Sequence, residues 1–126
     1  MLYSIITRKH QEREQFVNNK KLTGLQLRDA FAPAMAKFPL LSDFNAIDQM
    51  FRDELIPQSV AIEKFRPFVP SDKKGEYQEA WENYHQSHKR EGVSSVYFLD
   101  YAMGDELERF NLFKIRINEI LKFTEQ

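Results

Sequence analysis

Cysteine is absent from this 126-residue chain, which removes disulfides, thiol nucleophiles, iron–sulfur clusters and every zinc site built on thiolate. A cysteine-free chain suits a reducing compartment, so the expected location is the cytoplasm, or the cytoplasmic part of a membrane-anchored protein. Glycine is scarce as well. Only four are present, and none falls into Gly-x-Gly-x-x-Gly or Gly-x-x-x-x-Gly-Lys, the loops that cradle nucleotide phosphates. No Gly-x-Ser-x-Gly elbow or other nucleophile signature occurs. An excess of one charge is missing too: 18 basic residues against 19 acidic ones leave a formal charge of −1, far from the positive balance of an autonomous nucleic-acid binder. No apolar run approaches the ~20 residues of a membrane span, and the opening LYSII is too short for a signal-peptide core. These absences make an enzyme the minor reading, one whose site would assemble only in three dimensions.

What is present points to one soluble domain over 1–126, since the chain is 42% hydrophobic, 29% charged and 13% aromatic. Its size lets it bury roughly two-thirds of its unfolded surface without covalent staples. The apolar spacing predicts an all-α fold, an irregular up-and-down bundle of four to six helices. A first helix carries Leu2, Ile5, Ile6, Phe16 and Val17 among charges and exits at NNKK. Thr23 with Gln26 reads as a capping box opening a second helix, with Leu27, Phe31, Ala34, Met35 and Phe38 on one side. Pro33 is expected to kink or end it near Phe31. Ser42-Asp43 offers the next N-cap, ahead of a stripe of Phe44, Ile47, Met50, Phe51 and Leu55 that Pro57 stops. A short helix follows with Ala61, Phe65 and Phe68 aligned, until Pro67 and Pro70 forbid its continuation. From Ser71 to about Arg90 a long helix is expected, with Gly92 beyond it, and Val93 to Tyr101 reads as a connector packed on the bundle. Asp105 with Glu108 opens the last helix. Its broad face holds Leu107, Phe110, Phe113, Ile117, Ile120, Leu121 and Thr124, with Leu112, Ile115 and Phe123 on the other.

Tyr77, Trp81, Tyr84 and His88 fall at i, i+4, i+7 and i+11, within about 60° of helical arc. Glu76, Glu79 and Glu82 crowd the same helix and would repel phosphate, so the stripe reads as core and not as a base-stacking ladder. Trp81 is expected between the last helix and a Phe65/Phe68 elbow, with Arg66 holding that turn through a carboxylate or carbonyl. Glu82 and His85 make one Glu-x-x-His, half of a di-iron set that needs a second copy. His10 is the only further imidazole besides His85 and His88, and no metal or cofactor is expected. The neighbouring acids Asp53-Glu54 and Asp105-Glu106 read as helix-surface or N-terminal charges.

Two surfaces remain as functional candidates. A basic leader of Arg8, Lys9, Arg13, Lys20, Lys21 and Arg28 faces only Glu12 and Glu14. It suits nucleic acid or an anionic membrane surface, although such runs are more often solvated helix faces. The second candidate is Ile5, Ile6, Phe16, Leu112, Ile115 and Phe123, apolar area beyond what one small core absorbs. That excess makes a non-enzymatic interaction module the favoured reading, with a protein partner and the symmetrical homodimer as its default form.

The residues Ala61, Phe65, Arg66, Phe68 and Pro70, then Ala80, Trp81 and Tyr84, give A-x-x-x-F-R-x-F-x-P followed by A-W-x-x-Y. With the closing Ile117 to Phe123, INEILKF, this stretch resembles a family of uncharacterised bacterial all-helical domains. The resemblance implies a helical fold and carries no activity or site residue. In such proteins a membrane-anchoring segment can precede the domain, and LYSIITRK would then resemble the cytoplasmic exit of an anchor, positive charges just inside it.

Overall fold

The computed structural model describes residues 2–86, 101 and 104–126, with side chains from residue 7 onward. Its described residues hold four α-helices and no strand: α1 (Leu2–Lys37), α2 (Phe44–Phe65), α3 (Lys74–His85) and α4 (Glu106–Leu121). Single 3-10 turns at Phe38–Leu40, Arg66–Phe68, Ser71–Lys73 and Lys122–Glu125 finish or join them. The fold is all-α. Among the described residues no helix is long and apolar enough to cross a membrane.

The first difference from the sequence reading is that α1 is one helix of 36 residues, about 54 Å long at 1.5 Å per residue. It runs straight through the Thr23/Gln26 signature and through Pro33. A proline costs its helix the bond to the carbonyl four residues back, here that of Asp29. Asp29 and Pro33 are both exposed, so water can take the orphaned acceptor. The same holds in α2, where Pro57 and Asp53 are exposed and the helix continues to Phe65. None of the three helix ends expected at NNKK, Pro33 and Pro57 occurs. Pro39 does end a segment: the 3-10 turn it opens closes on Leu41, whose backbone is extended.

Two of the side-chain caps, Asp43 and Asp105, fall where the sequence placed them, whereas Thr23 lies inside α1 and α3 begins without one. Asp43 Oδ1 accepts from the backbone N–H of Asn45 at 2.7 Å and of Ala46 at 3.4 Å. Asp105 Oδ1 accepts from the Glu108 N–H at 2.8 Å. Helix α3 is shorter than expected. It ends at His85 because Gln86 takes a left-handed φ of 57°, a conformation that cannot continue a helix. His88, Arg90, Gly92 and the connector 93–100 lie outside the described residues, while Tyr101 is fully buried and donates its hydroxyl to the Tyr84 carbonyl at 2.8 Å.

The core joins Leu27, Phe31 and Ala34 of α1 to Ile47, Phe51, Ile62 and Phe65 of α2, Tyr77 and Tyr84 of α3, and Phe113, Ile117 and Ile120 of α4. Rings dominate it. Phe38 stacks on Phe113 at 4.3 Å, Phe51 on Tyr101 at 5.4 Å, and Phe31 meets the edge of Tyr84 at 5.2 Å, contacts worth about 0.5–1.5 kcal/mol each beyond area burial. Leu107 is the exception on its stripe: it is 69% exposed because α4 has only just begun at Glu106. Phe44, one residue past its own cap, is likewise exposed.

The resemblance-bearing residues build the elbow between α2 and α3. Arg66 grips Glu63 with Nε at 3.2 Å and Nη2 at 2.7 Å, reaches Gln78 Oε1 at 2.7 Å, and lies 5.4 Å from the Tyr77 ring centre. Hydrogen bonding from Arg66 holds the Glu63 carboxyl below its usual range. The Tyr77 hydroxyl donates to the Ile62 carbonyl at 2.8 Å, and burial pushes its pKa well up. Trp81 is buried, with different ring neighbours from those expected: Phe31 at 6.3 Å, Tyr84 at 5.8 Å and His85 at 4.6 Å. It is Tyr77, one turn earlier, that meets Phe65 at 6.1 Å and Phe123 at 5.4 Å.

Candidate interaction site

The core stripe of α1 does not stop where the core does. Leu27, Phe31 and Ala34 continue N-terminally as Gly24, Lys20, Phe16, Arg13 and Lys9 at spacings of three and four, all within about 80° of arc at 100° per residue. Going N-terminally, Gly24 is the last buried position of this face among the described residues. A Cβ there would come 3.3 Å from Thr124 Cβ and 3.7 Å from the Phe65 ring, so α1 lies close against the C-terminal turn at that point. Beyond it the cover thins: the Lys20 ammonium donates to the Gln126 carbonyl, and Phe16 touches Phe68 at 5.3 Å while remaining 53% exposed. Every side chain from Arg8 to Gln15 is exposed. The face that α1 buries in its C-terminal half is thus open in its N-terminal half among the described residues. Val17 adds exposed apolar area at the edge of this face, while Leu22 and Leu25 are exposed on the opposite side of the helix.

The basic leader resolves into groups with different roles. Arg8 pairs with Glu12 at 3.5 Å and His10 with Glu14 at 3.0 Å, one turn apart on the exposed helix. Arg28 binds Glu125 at 2.7 Å, tying α1 to the C-terminal turn beside the Lys20 contact. Lys9, Arg13 and Lys21 make no ion pair among the described residues. The leader is therefore not one free positive stripe. Its unpaired cations on the continuing core face are Lys9 and Arg13.

A second feature lies between α3 and α4. A groove of about 410 Å³ is lined by Glu76, Glu79, Ala80 and Asn83 on one side and Ile115, Arg116, Glu119 and Lys122 on the other. Arg116 donates to the Asn83 carbonyl and Lys122 holds Glu119 at 2.9 Å. Glu76 and Glu79 make no ion pair among the described residues. Ile115 is 55% exposed beside them.

Of the apolar candidates, Phe16 and Ile115 are open, and Leu112 is half-buried against the core. Phe123 is not a surface residue: the 3-10 turn after α4 swings it inward onto Tyr77, leaving 2% exposed. The side chains of Ile5 and Ile6 lie outside the described residues. Sequence reading missed the groove, whose two walls come from separate helices, and the continuous α1 register, although the four-three-four spacing from Lys9 to Lys20 was there to be counted.

The Glu-x-x-His pair is otherwise engaged, with Glu82 accepting from Gln78 at 3.1 Å and His85 lying against Trp81. No group of three or more His, Cys, Asp or Glu that could hold a metal ion occurs among the described residues. Glu54, expected on the surface, is 8% exposed and paired with Lys37 at 2.7 Å. One turn on, Gln58 is completely buried, and its amide faces the Tyr84 hydroxyl without reaching hydrogen-bond geometry. Burial holds that phenol far above its ordinary pKa.

No known family model, curated protein or solved structure matches the chain.

Proposed function

We propose that this chain, an irregular up-and-down helical bundle, is an interaction module that binds another protein through the open N-terminal half of α1, in a reducing compartment such as the cytoplasm. The observation that carries the reading is the continuity of one helix face from Ala34, Phe31 and Leu27 in the core to Phe16, Arg13 and Lys9 in solvent. Globular proteins cover such faces, and an open one interleaved with cations is what an amphipathic helix offers to a partner. A photo-crosslinking phenylalanine in place of Phe16 tests this in the cells the protein comes from, with the exposed Ile56 of α2 as the control position. The expected result is a discrete protein adduct from position 16 and none from position 56. Equal adducts from both positions, or none, refute the reading. Lys9, Arg13 and Lys21, unpaired and exposed, support a second reading, an anionic surface or nucleic acid as ligand; adducts to nucleic acid in place of protein would establish that one.

A further inference from the structure

The groove between α3 and α4 complements the open face of α1 in charge, spacing and length. Lys9 and Arg13 stand four residues apart and Glu76 and Glu79 three, both separations of about 5–6 Å between Cβ atoms on a helix surface. All four charges are exposed and unpaired among the described residues. Between or beside the charges each element presents exposed apolar area, Phe16 on α1 and Ile115 in the groove. The α1 segment preceding the Phe16 contact is about 20 Å long, and α3 with its 12 residues is about 18 Å. The two do not pair within one chain among the described residues, and the C-terminal half of the same unbroken helix is locked in the core.

We propose that the partner is a second copy of this chain, and that the two copies exchange the N-terminal halves of α1, each laid into the α3/α4 groove of the other. This rests on the module reading and names its partner. A reciprocal exchange is an isologous, two-fold arrangement, which closes on itself and leaves neither face unpaired. It also forms the contact twice. Stable interfaces bury about 1,200–2,000 Å² in total, so each docked segment must supply only about half, an area of the order that a helix about 20 Å long and 10 Å across can cover with its flanks.

Sedimentation equilibrium at micromolar concentration reads the outcome. The native chain is expected at twice its 15.0 kDa mass. Reversing the α1 charges (Lys9→Glu with Arg13→Glu) or the groove charges (Glu76→Lys with Glu79→Lys) should each weaken the dimer about 100-fold, since like charges then face each other. Mixing the two reversed chains restores complementarity in both contacts and should return a one-to-one dimer. Ile115→Glu, a single exposed substitution, should weaken the native dimer on its own. A native chain that stays at 15.0 kDa, reversed chains that dimerise like the native one, or a mixture that remains monomeric would overturn the exchange. A monomer that still gives protein adducts from position 16 refutes the exchange and keeps the module reading; a monomer with no adducts refutes both.

Discussion

Gln58 and Tyr84 give the sharpest test of the energetics, because the structure predicts that removing polar atoms from this core makes it more stable. The Gln58 side chain is completely buried, and neither its amide nitrogen nor its oxygen has a hydrogen-bond partner among the described residues. The Tyr84 hydroxyl beside it is in the same position. Each buried, unsatisfied polar group costs about 1–3 kcal/mol, while the unbranched side chain of methionine is close in length and shape to that of glutamine. Replacement of Gln58 by methionine should therefore raise stability by about 1–3 kcal/mol, and Tyr84→Phe by about 1 kcal/mol. At this chain length 1 kcal/mol corresponds to roughly 3–5 °C in Tm. Urea unfolding of the two single variants and the double variant closes a double-mutant cycle. The expected cycle is additive within about 0.5 kcal/mol, with a raised midpoint and an unchanged slope. Singles that each destabilise by about 1 kcal/mol or more, with a coupling of similar size, would mean that the amide and the phenol are bonded to each other, and the argument would fail.

Trp81→Ala removes a ring packed on Phe31, Tyr84 and His85 and should cost about 3–5 kcal/mol; a near-native thermal midpoint would refute its burial. Arg66→Ala loses Glu63, Gln78 and the Tyr77 face at once and should cost about 1–2 kcal/mol at neutral pH. Because Arg66 lowers the Glu63 pKa below its ordinary 4.5, the ion pair's contribution is complete above that value and is lost as pH falls through the lowered one. The gap between native and Arg66→Ala proteins in urea melts should accordingly narrow below about pH 4.5, and a constant gap would contradict the pairing. Asp43→Ala removes the acceptor for two N–H groups of α2 and should lower stability by about 0.5–2 kcal/mol, checked by the same melts.

Much of the helical content could be read from spacing, and the reasons for the failures are specific. Ile47, Met50 and Phe51 on α2 and Phe113, Ile117 and Ile120 on α4 follow simple apolar stripes, and they are buried as such. The prolines misled because a sequence does not show which way the orphaned carbonyl points; at Asp29 and Asp53 the neighbourhood is exposed, and the helices survive. The α1 register was hidden because lysine and arginine occupy three of its N-terminal positions, which breaks an apolar count without breaking the face. Phe123 was misplaced by extending an α-helical wheel past Leu121, where the chain tightens into a 3-10 turn and rotates each later side chain. Glu54 was misread since only the fold brings Lys37 to meet it from the end of α1.

The unbroken length of α1 has a consequence for how fast and how tightly its free half can engage a partner. Starting a helix is the costly step, and segments shorter than ~12–15 residues rarely pass it alone in water. Here the packed turns from Gly24 to Lys37 supply the start, so the exposed turns need only propagate from an existing end. A partner consequently meets a segment already in its bound shape and is spared much of the ordering entropy that a disordered tail would lose on docking. Association should then proceed without a folding step on the pathway, its rate set by encounter and by the charges of Lys9 and Arg13.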